Sequence, residues 1–142
     1  MIAPVAVLFL LAGAPPTALD QVKAEQNLEH RAHAAIEFAA VAEKNAESAY
    51  QKNDDTGTKA ELDQMQQAIR LAQQSLEQSG KKPGKNPKQY KYAEQRSRDL
   101  LKRLEALEQR MDFEDRKMVE EPKKEVQEIH DAWLEGIMNR EK

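Results

Sequence analysis

Two groups of side chains in this 142-residue chain have the types and spacing to do chemistry. His30 and His33 stand three apart, close enough on one helix face to share a metal ion, and His130 lies far downstream. Neutral imidazole is a common ligand of zinc and haem iron, so a metal- or haem-binding bundle is one reading of the pair. The diiron arrangement of helical bundles requires Glu-x-x-His on two helices, whereas Asn27 and Gln127 stand three residues before His30 and His130. Surface histidines near helix ends account for the pair more simply, and no cofactor is expected.

The second group is basic. Lys81, Lys82, Lys85, Lys88, Lys91, Arg96 and Arg98 follow one another with Tyr90 and Tyr92 among them and Glu94 as the single acid. Clustered cations release counterions from a polyanion and attract anionic headgroups, and tyrosines stack or sit at interfaces, so the stretch 81–98 is a candidate for binding an anionic lipid, an anionic polymer or a protein partner. The simpler alternative is a solvated connection kept soluble by its lysines.

Neither group forms a catalytic constellation. The chain has no cysteine, which removes thiolate nucleophiles, disulfide scaffolds, thiolate zinc sites and iron-sulfur clusters. It carries no Gly-x-Ser-x-Gly, no HExxH and no phosphate-cradling glycine loop, and its acids alternate with Lys and Arg as on solvated helix faces. A non-enzymatic protein is expected. Trp133, the sole tryptophan, falls on an apolar stripe and reads as core.

The elements that must carry these residues are helices. Leu28, Ala32, Ala35, Ala39, Ala42, Ala46 and Ala49 recur at spacings of four and three, a seam of methyl groups that lets a neighbouring backbone approach closely. Ile36, Phe38, Val41 and Tyr50 flank it. Leu62, Met65, Ile69, Ala72, Leu76 and Ser79 repeat the spacing with larger knobs, which pairs the two segments as an antiparallel hairpin. Tyr90, Ala93, Ser97, Leu100, Leu104, Leu107 and Met111 form a third seam, and Val126, Ile129, Trp133 and Ile137 a fourth.

Breakers separate the segments. Asn53 to Gly57 reads as a turn, with Thr58 and Glu61 as a capping box, and two prolines with two glycines between residues 80 and 87 end the second helix. A break falls between Met111 and Pro122, because proline lacks an amide hydrogen and disfavours helix in the residue before it. The expected fold is all-α: an antiparallel bundle of three long helices and a shorter C-terminal one, with coiled-coil-like packing, over about 20–52, 59–79, 88–112 and 122–139, Asp20 capping the first. Ala46 to Tyr50, the turn at 53–57 and Pro83 are similar to one tetratricopeptide unit. No second copy follows at that repeat's period, and no function is drawn from the similarity.

All charged residues lie after residue 19, which sets residues 1–18 apart. The apolar run Val5 to Ala12, followed by small residues and prolines, reads as a signal peptide cleaved near Ala14 or Ala18. It is too short for a stable transmembrane anchor, which needs about 20 apolar residues. The remainder, 19–142, is one domain of an exported, periplasmic or extracellular protein. A net charge of -3 gives no overall attraction to nucleic acid, so no specific nucleic-acid partner is expected. The expected function is that of a binding or scaffold module, with a chaperone-like role as one form of it, acting on a protein partner or through self-association.

Overall fold

The computed structural model describes residues 18–139. Residues 1–17 of the expected signal peptide, with its cleavage point at Ala14, lie outside the described residues. Within them the chain is helical without strands: α1 (Ala18–Lys23), α2 (Leu28–Gln51), α3 (Asp55–Gln78), α4 (Pro87–Arg110), a 3-10 turn (Phe113–Arg116) and α5 (Lys117–Met138).

The four alanine- and leucine-based seams are the core. Ala35, Ala39 and Ala46 of α2, Met65, Ile69 and Ala72 of α3, Leu104 of α4 and Val126 of α5 are fully buried in one cluster. Helices α2 and α3 run antiparallel, since Arg31 at the start of α2 donates to Ser75 (2.8 Å) and Gln78 (2.7 Å) at the end of α3. Helices α4 and α5 form a second hairpin, tied by Lys123 to Glu108 (2.6 Å) and His130 to Glu94 (2.9 Å). Contacts between the hairpins join α2 to α4 and α3 to α5, so the principal neighbours form a ring α2, α3, α5, α4. The 79–86 connection therefore crosses one end of that ring diagonally.

Four expectations need correction. The first helix is not continuous from residue 20: it breaks at 24–27, where Asn27 caps α2 by accepting from the amide of His30 (2.9 Å), and Asp20 lies inside the short α1. The second helix starts at Asp55, not 59, because Asp54 is its cap. Thr58 is accordingly no capping residue; it is buried within α3 and its hydroxyl donates to the Asp54 carbonyl (2.8 Å). Gly57 lets the Asp54 carboxylate lie close over the first turn: a Cβ there would stand 2.2 Å from it and displace the cap.

The last correction concerns α5, since the break expected between Met111 and Pro122 is present. The break is confined to Met111 and Asp112, where Met111 turns to extended geometry (ψ 150), and helical backbone resumes at Phe113. Pro122 therefore lies inside α5, buried in register with Val119 and Val126, so this helix is nearly as long as the other three. As the sixth residue of α5, Pro122 lies past the first turn, so the helix forgoes the amide that would bond the Met118 carbonyl while the proline ring is buried in the core.

Candidate functional site

The hairpin seam positions its ionisable groups on the α2–α4 face. Glu43 projects from the alanine seam and is fully buried. Its Oε1 accepts from Arg103 (2.8 Å), which also pairs with Glu47 (3.0 Å), and Glu47 in turn takes Arg110 (3.1 Å). Glu43 Oε2 is buried and receives no donor. Loss of hydration, then a hydrogen bond with Glu47, pushes the Glu43 carboxyl up to about 7. Burial acts the same way on Glu47, but the bonds from Glu43 and Arg110 hold that group below its ordinary range. The protonated form is therefore favoured at Glu43 and the ionised form at Glu47.

Toward the start of the same face, Tyr92 and Arg96 both donate to Glu37. The Tyr92 hydroxyl, then the Arg96 guanidinium, lowers the Glu37 carboxyl against the opposing effect of burial. Burial and the neighbouring carboxylate together raise the Tyr92 phenol to about 12. Tyr92 also stacks on His33, with ring centroids 4.3 Å apart.

These contacts divide the residues singled out by sequence. His33 is committed to Tyr92, and His30 lies exposed beside Glu25, 3.9 Å away. No group of three His, Cys, Asp or Glu side chains able to hold a metal ion occurs among the described residues. His130 is buried between two carboxylates, Glu94 and Asp131 (3.2 Å), and fastens α5 to α4. Gln127, then His130, keeps the exposed Asp131 below its usual range.

The basic segment splits into two sets. Lys81 pairs with Glu29 (2.7 Å), Arg96 with Glu37 and Arg98 with Glu94 (3.4 Å). Tyr90 is buried, its hydroxyl donating to the Lys81 carbonyl (3.1 Å), so both tyrosines serve the fold. Lys82, Lys85, Lys88 and Lys91 are exposed and have no ion-pair partner among the described residues. They lie on the diagonal connection and the first turns of α4. The connection is held down by Pro83 against Gly136 of α5, where a Cβ would come within 2.9 Å of the proline ring.

One surface was not singled out as a site by the sequence. Helix α1 folds back on α2 and α3, burying Leu19 and half-burying Val22. Between α1 and α2 it leaves an open groove of about 800 Å3, in which Phe38 and Val41 of α2 face Ala18 and Val22 of α1, with Glu61 and Gln64 of α3 beside them. Val41 is 55% exposed, unusual for a β-branched residue in a helix centre. The signal was present in the sequence, since Phe38 and Val41 stand off the alanine seam, but the break that brings α1 back over them was not legible.

No protein family, curated protein or solved structure matches this chain. No helix among the described residues is long and apolar enough to cross a membrane.

Proposed function

We propose that this is an exported, non-enzymatic helical binding protein that docks a protein partner in the groove between α1 and α2. The observation that supports the reading is the exposed Val41 beside the partly buried Phe38 in a concave apolar surface. Contiguous apolar surface bounded by polar residues marks binding sites in chains of this size, because leaving it in water costs roughly 25 cal/mol per Å2. The buried carboxyls and most of the ion pairs described above connect helices to one another. They serve the scaffold.

The test is site-directed photo-crosslinking in the native host. A photoreactive residue at position 41 is expected to yield a defined adduct, and one at position 102, on the exposed side of α4, is expected to yield none. Equal or absent adducts from the two positions overturn the reading. Export is tested by intact mass: the chain recovered outside the cytoplasm should lack residues up to Ala14 or Ala18 and retain Leu19, whose side chain belongs to the core. An unprocessed cytosolic chain overturns it.

A second reading is supported by the four unpaired lysines: attachment to anionic envelope material through the bundle end that carries Lys82, Lys85, Lys88 and Lys91. Replacing all four by Gln should abolish salt-sensitive retention on an anionic polymer such as polyphosphate resin. Unchanged retention excludes these lysines as the contact.

A further inference from the structure

Resting on the groove reading, we infer that the occupant of the groove is a cationic amphipathic helix about three turns long from another protein. Both walls are helices, the short α1 and the long α2, so they offer no strand edge to pair with. An incoming segment must satisfy its own backbone, and a helix does so. Helix α1 shows the mode on the same surface: it seats one apolar residue deeply, Leu19, and a second, Val22, three positions later. The α2 wall runs from Ala34 to Asn45, a length of about 17 Å at 1.5 Å per residue, which matches three turns of a partner.

The charge of the partner follows from the rim. Glu25, Glu37 and Glu61 line the groove, and no lysine or arginine among the described residues does. Glu37 is already held by Tyr92 and Arg96, whereas Glu25 and Glu61 have no lysine or arginine partner among the described residues. Lysines or arginines flanking the partner's apolar stripe would meet these two carboxylates. Two copies of this chain meeting through the same face would instead oppose their carboxylates. The chain's own first seventeen residues contain no charged side chain, so neither lysine nor arginine flanks their apolar run.

Two labelled peptides of about 14 residues, with leucines at i, i+3, i+4 and i+7 and either lysine or glutamate at the flanking positions, distinguish the possibilities when titrated against the full chain. Fluorescence anisotropy should show the lysine peptide binding at least about tenfold more tightly, with an advantage that shrinks as salt rises. The charge-neutral substitutions Phe38→Asn and Val41→Asn, made together in a chain that keeps its helical circular dichroism, should weaken that binding about tenfold or more. Glu61→Gln should narrow the difference between the peptides.

Equal affinity for the two peptides, lost in the Phe38→Asn, Val41→Asn chain, overturns the cationic partner and leaves the groove reading standing. Binding that survives those substitutions, or no binding of either peptide, overturns both. A dimer in sedimentation that Val41→Asn dissolves makes a second copy the occupant. Binding of the lysine peptide only after removal of residues 1–17 makes the chain's own leader the occupant. Either of these last outcomes overturns the inference.

Discussion

Glu43 is the residue whose chemistry most departs from its type. A glutamate in an alanine seam looks like one more solvated helix charge, yet it is fully buried and bridged to Glu47 and Arg103. Its folded-state carboxyl titrates at about 7, above the value of 4.5 that an unfolded chain shows, so the fold holds a proton that the unfolded chain has released. The stability this group contributes is complete below 4.5, falls as pH rises toward 7 and stays low above it. Glu43→Gln puts a neutral group of the same shape in the buried site, as the protonated carboxyl does. It should stabilise the protein by about 1–2 kcal/mol at pH 8 and by almost nothing at pH 5, read from urea midpoints at the two pH values. Equal effects at both values would refute the raised Glu43 carboxyl. Glu47, held low, acts in the opposite direction: its contribution is present above 4.5 and disappears as pH falls further.

At the scale of elements, the alanine seam of α2 sets how closely the neighbouring helices approach. Ala39 has no exposed surface, so Ala39→Leu must drive helices apart and should cost roughly 3 kcal/mol, seen as a lowered thermal midpoint. Leu104→Ala, at an equally buried site opposite, should cost about 2–5 kcal/mol by leaving a cavity. The short α1 depends on one side chain. Six residues do not sustain a helix in water, so α1 is held by the burial of Leu19. Leu19→Ala should release α1, raise amide exchange over residues 18–23 and remove one wall of the groove, with the four long helices left intact. Tyr50 does similar work at the other end, donating to Asp115 (2.9 Å) and accepting from the Asp112 amide (3.0 Å), which pins the turn between α4 and α5.

For the whole molecule, the arrangement of two hairpins separates two surfaces. The groove lies on the outer side of the first hairpin, and the unpaired lysines lie at the end crossed by the 79–86 connection. Changes at one should leave the other untouched: the chain with Lys82, Lys85, Lys88 and Lys91 replaced by Gln should keep its affinity for the lysine peptide within about twofold, and the Phe38→Asn, Val41→Asn chain should keep its retention on polyphosphate. Loss of both activities in either variant would show a single, shared surface.

Much of the fold was legible because helix seams are local. Ala32 to Ala46, Leu62 to Leu76, Tyr90 to Leu107 and Val126 to Trp133 are spaced by three and four in the sequence and are the residues the structure buries. A seam specifies which face turns inward, and every seam found its partner. What the sequence could not specify was decided by contacts between residues far apart. Glu43 and Glu47 looked like solvent-facing charges until α4 brought Arg103 and Arg110 over them. Tyr92 and Arg96 looked free to meet an anion until Glu37 claimed both. Four residues of non-helical chain at 24–27 turned the start of the first helix into a separate wall, and with it a solvated flank into a groove. Periodicity records which side of a helix is apolar; only the packed bundle determines which polar groups are spent inside it and which remain for a partner.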